Sequence, residues 1–211
     1  MIRAVPLHLV THPLVHDSLT ELRDIRTAPP AFRRAANRIS VLLAAEALKD
    51  LPAAPATVET PLGPADGLVV RDDVVVVPVL RAGLGMLDAV LELLPTARVG
   101  HIGLQRDEST AIASQYYSRL PRDIGRSHVL MIDPMLATGG SAVAAIDLLK
   151  RAGAPEIRVI CIVAAPDGVA LVERQHPEVH IYTPVVDSHL DAHKYIVPGL
   201  GDFGDRLYGT E

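Results

Sequence analysis

From residue 29 onward, two hydrophobic rhythms alternate along the chain. Pro29-Pro30 can open a helix, and Phe32, Ala35, Ala36, Ile39, Leu42, Leu43 and Glu46-Ala47 follow a 3.6-residue period, with Arg33, Arg34, Asn37 and Arg38 between them. This predicts an amphipathic helix of about 17–20 residues. The stretch from Leu51 to Gly67 holds Pro52, Pro55, Pro61 and Pro64 and reads as irregular, with at most short edge strands. Val74 to Leu80 is then a continuous β-branched run, the pattern of a strand buried on both faces of a parallel sheet.

The same alternation continues to the end. Arg81 to Gly85 predicts a turn, Met86–Leu94 a helix, Arg98–Leu104 a strand, and Arg106–Gln115 a polar loop. Val129–Ile132, Ile157–Val163 and Val179–Tyr182 predict strands, with helices at Ser141–Arg151 and Val169–Gln175. Strand–helix–strand units at this spacing imply an α/β fold, a parallel sheet flanked by helices with right-handed crossovers. Beyond Pro198, the glycines 199, 201, 204 and 209 suggest an ordered functional loop and no further element. Ligands of such sheets bind at the carboxyl ends of strands, which directs attention to the loops after Leu80, Leu104 and Ile132.

Composition narrows the function classes. A length of 211 residues fits one domain spanning 1–211. Lys plus Arg is 20 against 25 for Asp plus Glu, a net charge of −5, so the chain lacks the general basic field of a nucleic-acid binder. Five Tyr, two Phe and no Trp also argue against a stacking platform for single strands. An anionic ligand therefore needs a local site of arginines, helix termini or a metal ion. Cys161, the one cysteine, excludes an internal disulfide and multi-cysteine metal sites, and its apolar neighbours predict a small buried hydrophobe on a strand. No window approaches the roughly 18 apolar residues of a membrane span, and Met1–His8 has no basic-then-apolar leader pattern, so a cytosolic protein is expected.

The most informative segment runs from the apolar Val129-Leu130-Met131-Ile132 through Asp133-Pro134-Met135-Leu136-Ala137-Thr138-Gly139-Gly140-Ser141 into a helix. Gly139 and Gly140 let main chain approach a ligand, Thr138 and Ser141 add hydroxyls, and the helix start favours an anion. This is a phosphate cradle. Without Gly-Lys-Ser/Thr it is no P-loop, and without Gly-x-Gly-x-x-Gly it is no dinucleotide fingerprint. Asp133, at the strand end, is placed to accept from two vicinal sugar hydroxyls.

Asp133–Ser141 resembles the ribose-phosphate loop of uracil phosphoribosyltransferases. So, in the same order, do Val79–Met86, Arg106–Thr110, Val163–Gly168 and Tyr195–Asp202, with His12-Pro13-Leu14 near the start. Phosphoribosyltransferases usually carry two adjacent acids in this loop; Pro134 at the second position points to the uracil branch. The resemblance implies a type I phosphoribosyltransferase fold with an irregular or β-rich hood. It implies the reaction of uracil with 5-phosphoribosyl 1-diphosphate (PRPP) to give UMP and diphosphate. Thr138, Gly139, Gly140 and Ser141 would hold the 5-phosphate, with Pro134, Met135, Leu136 and Ala137 completing the PRPP loop and Asp133 taking the ribose. Arg81 would clamp the diphosphate with Mg²⁺ carried mainly by PRPP, and Arg106 would close over it. Ile196, Gly201, Asp202 and Phe203 would line the base, with Arg81 and Asp202 as the catalytic pair. A homodimer or larger oligomer is the family's usual form, and the resemblance raises GTP as an activator; neither nucleic acid nor membrane is an expected partner.

Three positions depart from the family pattern: Phe203 in place of Ala, Lys194 in place of Gly before Tyr195-Ile196, and Ala111–Gln115 in place of a proline-containing run. These leave open a transferase for another base, or a non-catalytic sensor of PRPP or a nucleotide. Two histidine patterns have spacings that invite a metal-site reading. His8, His12 and His16 are spaced by four, but Pro13 interrupts one face; Asp187, His189, Asp191 and His193 would share one side of a strand and read as a solvated approach to the base loop.

Overall fold

The computed structural model describes residues 7–106 and 113–210, with Arg106, Ala113 and Ser114 described in their backbone only. A first strand, β1 (Leu7–Leu9), leads to helices α1 (Pro13–Arg23) and α2 (Pro29–Ala47), then to a hairpin of β2 (Ala53–Thr60) and β3 (Gly63–Val70). Next come β4 (Val74–Leu80), α3 (Leu84–Leu93), β5 (Arg98–Val99), β6 (His101–Arg106), β7 (Ala113–Arg119) and β8 (His128–Ile132). After β9 (Met135–Leu136) and α4 (Gly140–Arg151) follow β10 (Glu156–Ile160), β11 (Val163–Ala164), α5 (Pro166–Gln175) and β12 (His180–Thr183). The chain closes with β13 (His189–Leu190), β14 (Ile196–Val197) and α6 (Phe203–Tyr208).

The central sheet runs β1-β12-β10-β8-β4-β6-β7, with β5 also beside β4. Every pairing in it is parallel except β6–β7. The valines of β4 divide between two cores: Val74 and Val76 pack with α1, α2, α3 and α6, while Val75, Val77 and Val79 face α4 and α5. Burial on both faces explains the unbroken apolar run, as expected for a central parallel strand. The amphipathic helix extends from Pro29 to Ala47 and buries Phe32, Ala35, Ala36, Ile39, Leu43 and Ala44.

Three expectations need correction. The proline-rich stretch enters a hairpin of two eight-residue strands, pairing Ala53 with Val70 through Thr60 with Gly63. Counting outward from that tight turn, Pro55 and Pro64 both fall in non-hydrogen-bonded pairs, where a strand has no N–H to lose. The strand expected over 157–163 breaks after Ile160, and Cys161 sits in the bend. There the Pro134 carbonyl accepts from Ile162 N (2.9 Å) and Val163 N (3.1 Å), which turns the chain onto the phosphate loop. Finally, the glycine-rich end contains α6, started by the Asp202 side chain accepting from Asp205 N (2.9 Å) and stopped by Gly209 at φ 69°. Six residues are too few to show a helical period; the Asp cap and the terminal Gly were the readable signals.

Among the described residues, no helix is long and apolar enough to cross a membrane.

Candidate active site

At the carboxyl end of β8 the chain builds the phosphate loop on a second small sheet. β9 pairs with β11, joining Met135 to Val163 and Leu136 to Ala164, and Ala165 N donates to Leu136 O (2.9 Å). Gly139 adopts φ 83° as the N-cap of α4 and has no side chain to cap it, while Thr138 Oγ1 accepts weakly from Gly140 N (3.5 Å). A Cβ on Gly139 would lie 2.9 Å from Gly168 O, and one on Gly168 would lie 2.5 Å from Ala137 O. The loop thus rests directly on the start of α5, which accounts for the Val163–Gly168 motif. Pro134 and Leu136 turn inward as supports. Asp133, Met135, Ala137, Thr138, Gly140 and Ser141 keep partial exposure, and Asp133 Oδ1 accepts weakly from Met135 N (3.4 Å).

The turn after β4 lies alongside. Gly83 N donates to Val79 O (2.9 Å), and a Cβ on Gly83 would meet Ile132 O at 2.5 Å. Only glycine lets this turn lie against the residue preceding Asp133. The Leu80–Arg81 peptide is cis, and Arg81 is exposed; its carbonyl accepts from Leu84 N (3.1 Å), while its guanidinium makes no hydrogen bond or ion pair to any described residue. The side chain of Arg106, and Asp107–Ile112 with the departures at 111 and 112, lie outside the described residues.

The C-terminal segment forms the third wall. Asp187 is buried, and its carboxylate accepts from Arg23 Nη2 (2.7 Å) and Gly199 N (2.9 Å). Gly199, at φ 56°, sits where a Cβ would come within 2.1 Å of Ile196 O. Val197–Pro198 is cis. Arg206 anchors the segment from below by donating to Leu22, Leu200 and Asp24 carbonyls, and its guanidinium stacks over Phe32. Asp191 Oδ1 accepts from His193 N (2.8 Å) and Tyr195 N (2.9 Å), closing a turn that leaves Lys194 at φ 68°. That conformation costs an L side chain about 1–2 kcal/mol and glycine almost nothing. The expected polar strand of Asp187, His189, Asp191 and His193 is therefore not one face: Asp187 is a buried ion-pair partner and Asp191 a turn former.

Phosphate loop and C-terminal segment meet in a cavity of 300 Å³, lined by Met135 and Ala137 on one side and by His193–Ile196 and Gly201–Phe203 on the other. Met135 and Ala137 thus share a wall with Ile196, Gly201, Asp202 and Phe203. Phe203 is 1% exposed: its ring lies 5.3 Å from Phe32 and against the face of Gly85, so it enters the cavity wall with little of its surface. A groove of 650 Å³ borders the outer side of the same segment, where Arg23 and Arg206 are already committed to Asp187 and to carbonyls.

The histidines do other work. His12 Nδ1 caps α1 by accepting from Leu14 N (3.1 Å), and His8 bonds His180 (3.0 Å) while stacking on Tyr182. No group of three or more metal-ligating side chains occurs among the described residues. Burial pushes the Cys161 thiol up to about 12, which leaves it inert at neutral pH.

Comparison with known proteins gives the family. The family model described as uracil phosphoribosyltransferase matches residues 9–210. The chain belongs to the uracil phosphoribosyltransferase family. A uracil phosphoribosyltransferase of Dictyoglomus thermophilum is 52% identical over 204 residues, covering 96% of this chain and 99% of that protein. A solved structure from Aquifex aeolicus superposes with a TM-score of 0.92 at 35% identity, covering 97% of this chain and 99% of that one. An adenine phosphoribosyl transferase from Trypanosoma brucei, 14% identical, matches with a TM-score of 0.54 over 83% of this chain and 79% of that one, sharing the type I fold. Within that fold, three of the resembling segments, Val79–Met86, Asp133–Ser141 and Tyr195–Asp202, lie at the turn after β4, the loop after β8 and the segment after β13.

Proposed function

We propose that this chain transfers the phosphoribosyl group of PRPP to uracil, giving UMP and diphosphate. The observation that carries the reading is the shared cavity, in which a phosphate-cradle loop and the base segment of a uracil phosphoribosyltransferase face one another.

The residues supply the steps as follows. Thr138–Ser141 bind the 5-phosphate through main-chain N–H groups, hydroxyls and the start of α4. Asp133 accepts from the ribose hydroxyls. Arg81 and Arg106 bind the diphosphate, on which negative charge grows as the glycosidic bond breaks; donors fixed in advance stabilise that charge without reorganising. Main-chain groups of Ile196, Gly201 and Asp202 read the base, and Phe203 holds their segment against α2 and α3. Mg²⁺ would arrive with PRPP and would neutralise the leaving diphosphate, beside the arginines that hold it. No covalent nucleophile is needed.

The same reading takes the protein to be a cytoplasmic homodimer or larger assembly. The hairpin supports assembly by exposing Val58, Leu62, Leu68 and Val70. GTP is included as an activator to be checked by adding it to the assay. The test is diphosphate release from PRPP and Mg²⁺ with uracil, cytosine, adenine, hypoxanthine and guanine in turn. Release with uracil alone is expected. Release only with another base, or with none, overturns the reading.

A further inference from the structure

The cavity between the phosphate loop and the base segment has an unusual charge balance. Among its lining residues, Asp202 and Lys194 carry the acidic and basic side chains, and His193 and Tyr195 add polar ones. Asp202 has a local task, since its Oδ1 accepts from Asp205 N and starts α6. Lys194 has none: it is exposed, and its ammonium makes no hydrogen bond or ion pair with any described residue. Its backbone is nonetheless held in the left-handed region by the Asp191 turn, at φ 68°, the one non-glycine residue so placed among those described.

We propose that Lys194 binds the negative charge of the pyrimidine as its ring nitrogen becomes a nucleophile, a role that rests on the assignment of uracil as acceptor. The chemistry requires such a charge. N1 of uracil attacks C1 of the ribose only after its N–H bond has released a proton to solvent. The N1–C1 bond then forms as the C1–O bond to diphosphate breaks, and the bonding pair leaves with the diphosphate. Between those events the ring carries a negative charge spread over N1 and its two carbonyl oxygens. Asp202 is the acidic residue on the same wall, and Lys194 offsets its effect on that anion. A compact ammonium on a flexible four-carbon stem can follow the base as it binds and leave with the product. Water excluded by the bound base would strengthen the attraction.

The experiment compares kcat/KM for uracil and for 5-fluorouracil, whose electron-withdrawing fluorine makes the ring proton more acidic and its anion less dependent on help. The proteins are wild type, Lys194→Gly, Lys194→Met and Lys194→Arg. Lys194→Gly removes the charge and suits the backbone, so it is expected to melt no lower than wild type. Both neutral variants are expected to lose about tenfold in kcat/KM for uracil, with a clearly smaller loss for 5-fluorouracil and an unchanged KM for PRPP. Lys194→Arg is expected to retain most of the wild-type value. Equal losses on the two bases, a Gly variant with wild-type uracil kinetics, or a defect confined to KM for PRPP overturns the proposal. If wild type itself makes no UMP from uracil, the functional assignment falls and this role falls with it; an active wild type with an unaffected Gly variant removes Lys194 alone.

Discussion

Gly139 and Gly168 pack backbone against backbone: a Cβ on Gly139 would stand 2.9 Å from the Gly168 carbonyl oxygen and 3.1 Å from its Cα. One glycine belongs to the phosphate loop and the other to the first turn of α5. The shape of the phosphate cradle is therefore set partly by a residue with no place in the cradle. Gly168→Ala would put its methyl carbon 2.5 Å from Ala137 O and 2.8 Å from Leu136 O, both backbone atoms. Overpacking of this kind costs about 1–3 kcal/mol. The expected outcome is a lower melting temperature together with weaker PRPP binding by calorimetry, although Gly168 touches no proposed ligand.

Asp133→Asn keeps the shape of the side chain and removes its charge. A hydrogen bond to a charged group is worth about 1.5–3 kcal/mol, so PRPP affinity should fall at least about tenfold. Circular dichroism should show the fold intact. Unchanged affinity would remove Asp133 from the ribose site.

Asp187→Ala leaves the Arg23 guanidinium and the Gly199 N–H without their shared acceptor. Removing one member of a buried pair typically costs 3–5 kcal/mol; about 3 is expected here because Arg23 can turn toward solvent. The local consequence matters more, since Gly199 begins the Gly-Leu-Gly run beside the proposed base site. Denaturant unfolding should show the stability loss, and KM for uracil should rise more than KM for PRPP.

Burial lowers the affinity of His176 for a proton, and the neighbouring Lys150 ammonium adds to the effect. Burial likewise lowers His8, aided by His180. As pH falls below the ordinary histidine value near 6.5, the unfolded chain takes up protons before the folded one does, so unfolding becomes easier. Stability is thus fully present above that pH and declines as acid carries the protein down through the lowered folded values. Urea titrations at stepped pH between neutrality and mild acid check the slope, which His176→Gln should reduce.

Much of the fold was open to reading because it obeys simple periods. The double-sided burial of Val74–Val79 and the single stripe of the Pro29–Ala47 helix both leave an unmistakable mark. The hairpin was hidden because prolines normally argue against strands, and their harmlessness depends on pairing parity that appears only once register is known. The phosphate loop was legible as local chemistry, with glycine, hydroxyl and acid in the right order. Asp187 was not: its role depends on Arg23, 164 residues away, and on a backbone N–H that no motif records. Phe203 looked from sequence like an intruder beside the base; the missing side chain at Gly85 and the nearby Phe32 give its ring a buried seat instead.

The account stands most directly on product identity. Purified protein with PRPP, Mg²⁺ and uracil should form UMP and diphosphate in equal amounts, resolved by ion-exchange chromatography, and Asp133→Asn should form far less at subsaturating PRPP. Wild-type protein that consumes no PRPP with uracil present, or that yields diphosphate without UMP, would contradict it.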